Sequence, residues 1–132
     1  MIIDFTTDDE WADSAADLAE NVNGIGGKTL ITALSDHLKA SGDQVEEVFD
    51  EDFGWCFYAT HRGSRYFITT SIEPDETDSF YGVVGVQKQR GMLEKLLGKN
   101  KMESADPVKS KLHAFLDKDQ HIALSADGWE MR

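Results

Sequence analysis

Large apolar residues recur at every second position from Phe53 onward, in the segment FGWCFYATHRGSRYFITTSIEPDETDSFYGVVGV that ends at Val86. Phe53, Trp55, Phe57 and Ala59 alternate with Gly54, Cys56, Tyr58 and Thr60. Tyr66, Ile68 and Ile72 alternate with Arg65, Phe67 and Ser71. A period of two is the signature of a strand with one buried face. Arg62-Gly63 supplies a two-residue turn in which glycine takes a positive φ. With His61 paired to Ser64, Ala59 faces Tyr66, Phe57 faces Ile68, Trp55 faces Thr70 and Phe53 faces Ile72. Nearly all the large apolar side chains then share one face, and a slip of one residue would destroy that match. A solvated loop from Glu73 to Ser79 leads into a third strand, Phe80 to Gln87. Its Gly82 and Gly85 predict a bulge or a close backbone approach.

Outside this central meander, 53–87, the apolar period lengthens. Ile2, Ile3 and Phe5 predict a short first strand at the sheet's edge. Thr7 opens a helix with Glu10 at capping-box spacing, and Asp8, Asp9 and Glu10 suit the positive end of its dipole. Trp11, Ala15, Leu18, Ala19 and Val22 form its apolar stripe, and Asn23-Gly24 stops it. A second helix runs from about Lys28 to Ala40 with Leu30, Ile31, Leu34 and Leu38 inward. Asp43 to Asp52 reads as another strand through Val45, Val48 and Phe49. Met92, Leu93, Leu96 and Leu97 share one side of a short helix closed by Gly98. Asp106-Pro107 starts the last helix, with Val108, Leu112, Phe115 and Leu116 as its stripe. Ile122, Leu124 and Ala126 alternate as a final strand, and Trp129 packs back on the core.

The fold class this predicts is α+β. A mostly antiparallel sheet of about five or six strands carries helices packed mainly on one face, in the order β-α-α-β-β-β-β-α-α-β. No linker or repeat divides the chain, so residues 1–132 are expected to form a single α+β domain.

Charge changes this picture most. The formal net charge is −12 over 132 residues, and residues 1–55 alone, with fourteen carboxylates and two lysines, carry all of it. Residues 88–111 hold seven cations and three carboxylates, a net charge of +4. An acidic chain repels nucleic acid, so that partner is excluded. No apolar run reaches the roughly 20 residues that span a bilayer, and MIIDFTTDDE is no secretory signal, so membrane insertion is not expected. One cysteine permits no internal disulfide and fits a reducing cytoplasm. Small size and acidity are shared with bacterial secretion chaperones and toxin-neutralising immunity proteins, a likeness of composition that covers no motif.

Motif readings are mostly negative. Gly24-Ile25-Gly26-Gly27-Lys28-Thr29 is similar to a phosphate-binding loop, but the first glycine that loop needs falls on Val22, and a helical stripe precedes it instead of a strand. Counting a calcium loop from Asp50 puts Trp55 where glycine is required and His61 where glutamate is required. Cys56 lies inside a strand, where a thiol is usually a small buried hydrophobe. His37, His61, His113 and His121 are scattered without zinc-helix spacing. No cofactor or metal is expected, and no catalytic residue is assigned.

Two function classes follow. The first is a non-catalytic protein-binding domain, an adaptor, chaperone-like or immunity-like, whose partner is another protein or a second copy of itself. The basic segment Lys88, Arg90, Lys95, Lys99 and Lys101 would face that partner. The alternative is a small enzyme or small-molecule-binding domain with a pocket formed by Cys56, Tyr58, Phe67 and His61.

Overall fold

The computed structural model describes residues 1–131. In chain order it runs β1 (Ile2–Thr7), a 3₁₀ turn (Asp9–Trp11), α1 (Ala15–Ala19), α2 (Lys28–Ala40), β2 (Gln44–Val45) and β3 (Phe49–Glu51). Then come β4 (Gly54–His61), β5 (Ser64–Pro74), β6 (Phe80–Lys88), α3 (Met92–Leu97), α4 (Pro107–Lys118) and β7 (Ile122–Leu124). The architecture is α+β. One sheet has the order β2-β4-β5-β6-β1-β7, with β3 also paired to β4, and every pairing is antiparallel.

The central hairpin forms in the expected register: His61 pairs with Ser64, Ala59 with Tyr66, Phe57 with Ile68 and Trp55 with Thr70. Trp55, Phe57, Ala59, Tyr66, Ile68 and Ile72 are all buried on one face. Leu30, Ile31, Leu34 and Leu38 of α2, with Val108, Leu112 and Leu116 of α4, cover them. Asp106 caps α4 as its sequence position predicts, accepting the amides of Val108 and Lys109, while its other oxygen accepts the buried Tyr66 hydroxyl at 2.7 Å. One carboxylate thereby starts a helix and ties it to the sheet. Burial first, and then this hydrogen bond, push the Tyr66 phenol well above its usual range.

Phe53 breaks the predicted pattern. Gly54 has a φ of +147° and packs so tightly that a Cβ would meet the Thr70 carbonyl at 2.3 Å. The chain turns there, Ile72 bridges to Gly26 instead, and Phe53 is 45% exposed. The glycines of β6 mark close approach and not a bulge, because pairing with β5 runs unbroken from Tyr66–Lys88 to Pro74–Phe80. At Gly82 the Phe5 ring fills the space a Cβ would need, at 2.2 Å.

Three more expectations change. β1 is not an edge strand, because β7 adds outside it. The acidic stretch after α2 forms two short strands, β2 and β3, which gives seven strands where five or six are predicted. The first predicted helix is broken: Thr7 stays in β1, Asp8 and Ser14 cap the 3₁₀ turn and α1, and Ala12 is extended between them. Trp11 still reaches the core edge, 6.0 Å from the Phe115 ring, but Val22 is 72% exposed.

Trp55 is 4% exposed and its indole N–H donates to the Ile25 carbonyl at 3.1 Å. Trp55→Ala is expected to lower the unfolding free energy by about 3–5 kcal/mol. Phe53→Ala, outside the core, is expected to change it by about 1 kcal/mol or less. Urea midpoints with unchanged m-values check both; equal losses would contradict the register at this end of the sheet.

Candidate functional site

The glycine-rich link before α2 does bind an anion, and the anion is the protein's own. Asp13 accepts the backbone amides of Gly27, Lys28 and Thr29, each at 2.9 Å. These amides open α2, where the helix dipole favours negative charge. Gly27, with φ +132°, directs the chain into that turn. The Lys28 ammonium pairs with Glu20 and Asp17, so its charge is already answered. Nothing in DDEWADS marks Asp13 for this role, because its partners lie fourteen to sixteen residues later.

The proposed pocket residues separate. By strand alternation His61 lies on the helix-covered side, while Cys56, Tyr58 and Phe67 lie on the opposite, open face. Cys56 is buried, paired with Phe49 of β3, with its Sγ 3.6 Å from the Phe49 carbonyl. Burial, with Glu51 and Asp50 nearby, pushes its thiol up to about 12, so it is no nucleophile. Tyr58 stacks on Phe49 at 6.0 Å and on Phe67 at 4.9 Å. The Arg65 guanidinium, held by Glu46, lies 3.8 Å from the Tyr58 ring. The aromatic patch is therefore occupied by its own side chains, and of these Phe67 also lines a cavity.

His61 has a different partner. Its Nδ1 is 2.6 Å from one oxygen of the buried Asp43, whose other oxygen receives the Lys111 ammonium at 2.9 Å. Burial alone would raise the Asp43 carboxyl; the bonds from Lys111 and His61 outweigh it and hold the group below its usual range. This cluster joins the α2–β2 link, the end of β4 and α4. A shallow cavity of about 610 Å³ adjoins it, lined by Ser41, Gln44, Thr60 and Arg62 among others. The remaining histidines stay apart: His37 meets Phe115, His113 meets Trp129 and His121 meets Asp8. Among the described residues, no three His, Cys, Asp or Glu side chains gather closely enough to hold a metal.

The basic segment is where the structure departs furthest from ordinary packing. Met92, Leu93, Leu96 and Leu97 of α3 are 81%, 68%, 77% and 57% exposed. The helix stands with its apolar side outward. Arg90, just before the helix, donates its guanidinium to the Glu94 and Lys99 carbonyls, and Lys95, on the polar side of α3, borders a cavity. Gly91 and Gly98 bound the helix, Gly98 in the left-handed region at φ +65°. No described carboxylate forms an ion pair with Lys88, Arg90, Lys95, Lys99 or Lys101. A cavity of about 530 Å³ lies on the open sheet face, bordered by Ile2, Phe67, Thr69, Gly85, Phe53 and Lys101 among others. Sequence spacing finds the stripe on α3; it does not say which way the stripe points.

Asp13→Ala is expected to destabilise the fold by about 1–2 kcal/mol, the cost of a lost helix cap. Lys28→Ala leaves folding in place, and calorimetry on the wild-type chain gives no saturable heat with ATP. The Asp43 cluster predicts a pH dependence. A depressed folded pKa contributes stability above the unfolded value of about 3.9 and loses it as pH falls through the folded value. The stability gap between wild type and Asp43→Asn, from urea midpoints between pH 6 and pH 2, is therefore expected to shrink below about pH 4.

Comparison of the chain with protein-family models, curated proteins and solved structures finds no match, so its function is read from the geometry above.

Proposed function

We propose that the chain is a non-catalytic binding domain whose partner is a protein with an acidic surface, and that α3 is the contact element. One observation carries this reading: four large apolar side chains stand outward on a six-residue helix among cations that no described carboxylate answers. Apolar area in water is a cost that burial against a partner removes, at about 25 cal/mol per Å². The surrounding Lys95, Lys99 and Lys101 would orient an acidic partner and raise its capture rate. A membrane surface fits less well. An anionic bilayer repels a chain of net charge −12, α3 carries no aromatic anchor, and no described helix is long and apolar enough to cross a membrane.

A second reading is supported by the Asp43–His61 pair. A carboxylate on Nδ1 leaves Nε2 free for proton transfer, the arrangement used by general bases. Lys111 on the other oxygen and the position between three elements support a structural clamp instead. A hydrolase-substrate screen decides: activity lost in His61→Gln at unchanged melting temperature supports catalysis, and no wild-type turnover supports the clamp.

The main reading predicts that two variants fold normally and lose their partner. Leu93→Ser with Leu96→Ser removes apolar contact, and Lys95, Lys99 and Lys101 changed to glutamate reverses the charge. Partner capture from the source cell's extract, with self-association by sedimentation, is measured at low and high salt. Wild-type binding that weakens as the Debye length falls below about 10 Å, and fails in both variants, is the expected result. Binding indifferent to salt and to both sets of changes would remove α3 from consideration.

A further inference from the structure

The space between α3 and the open sheet face has its own chemistry, separate from the outer face of the helix. Its floor is low because Gly85 has no side chain: a Cβ there would meet the Thr69 hydroxyl at 2.5 Å and the Ile2 Cγ2 at 3.5 Å. Ile2 and Phe67 make the floor apolar, and Phe53 also borders it. Its volume of about 530 Å³ lies within the range of small-molecule sites. Met102 and Met131 also border it, and thioether chains adapt to irregular ligands.

Several polar groups around this floor have no partner among the described residues. The side chains of Thr69 and Gln87 make no hydrogen bond to any described residue. Lys95 and Lys101 border the cavity, and neither meets a described carboxylate. Arg90 borders it too, but its guanidinium is engaged by the Lys99 and Glu94 carbonyls, which makes it a positioning residue for α3. In a chain with carboxylates to spare, two ammonium groups without a carboxylate partner on one cavity with an apolar floor match a ligand with an anionic head and an apolar body.

We propose that this cavity binds an anion-headed apolar chain, its head between Lys95 and Lys101 and its body along Ile2, Phe67 and Gly85. The shared chemistry is that of a fatty carboxylate or an alkyl phosphate. The proposal shares Lys95 and Lys101 with the partner reading of α3 but not Met92, Leu93, Leu96 and Leu97, so the apolar variant of α3 tells the two apart.

The test is calorimetric titration of the full chain below the micellar concentration of each probe. Decanoate and decyl phosphate carry both features and distinguish the two heads. Decanol lacks the charge, and acetate lacks the chain. The expected result is saturable one-to-one binding of at least one decyl anion, with decanol and acetate each at least tenfold weaker. Lys95→Gln with Lys101→Gln, both surface changes, is expected to weaken that binding by about tenfold. Thr69→Leu, which fills the cavity from the sheet, is expected to abolish it while the melting temperature confirms folding. The Leu93→Ser, Leu96→Ser variant is expected to bind the probe as wild type does, which separates this site from the outer face of α3. No binding of either anion, equal binding of decanol or acetate, or binding indifferent to both cavity variants would overturn the proposal.

Discussion

Arg62 and Gly63 both take positive φ, at 48° and 81°, and that tight turn sets the register on which the molecule depends. The handedness of such a turn matches the twist of the strands it joins, so the pairing of His61 with Ser64 propagates without a bulge to Trp55 and Thr70. Every later feature inherits this parity. Phe57 and Ile68 go to the helix side, and Cys56, Tyr58 and Phe67 go to the open side. A shift of one residue would exchange the two sets, leaving α2 and α4 to cover polar and half-polar positions. The cost would be the burial of nearly a whole core, far beyond what any surface contact could restore.

Around that core the chain uses buried polar groups to fix how its loops leave the sheet. Asp13 closes the amides that open α2, and Asp106 does the same for α4 while holding Tyr66. Asn21 is buried. It donates to the Glu51 and Gly54 carbonyls and accepts the Asn23 and Ile25 amides. Each group answers backbone atoms that would otherwise be costly to bury. Part of the strong acidity is therefore structural: Asp13, Asp43 and Asp106 work as caps or clamps and are not free surface charge. The P-loop likeness of Gly24–Thr29 dissolves for the same reason, since a carboxylate from the same chain stands where a phosphate would.

The open face follows a different logic. Toward β3 it is sealed by Phe49, Tyr58, Phe67 and Arg65 stacked on one another. Toward α3 it stays open, because Gly85 and Thr69 present little side chain there, and Lys95 of α3 borders the space. The orientation of α3 thus creates two surfaces together: an apolar one facing water and a basic cavity behind it. Both involve the basic segment 88–101 of a chain whose first 55 residues carry its net negative charge.

The sequence by itself determined the elements governed by local periodicity. The hairpin register, α2 with its four inward residues, and the Asp106-Pro107 start of α4 are legible because each depends on neighbours a few positions away. It also located the basic cluster, since charge counts need no coordinates. Tertiary structure decided what depends on distant partners. Thr7 stayed in β1 because Phe80 and Ile122 pair with it, and the helix expected there broke where Asp13 turned to Gly27, Lys28 and Thr29. Phe53 left the sheet because Gly26 had taken the place opposite Ile72. Asp43 found His61 and Lys111 across 18 and 68 residues of chain. The outward stripe of α3 is the sharpest case. A period of 3.6 specifies that four apolar residues share a side, but the direction of that side is set by what else the helix touches, and no spacing within Met92–Leu97 contains that information.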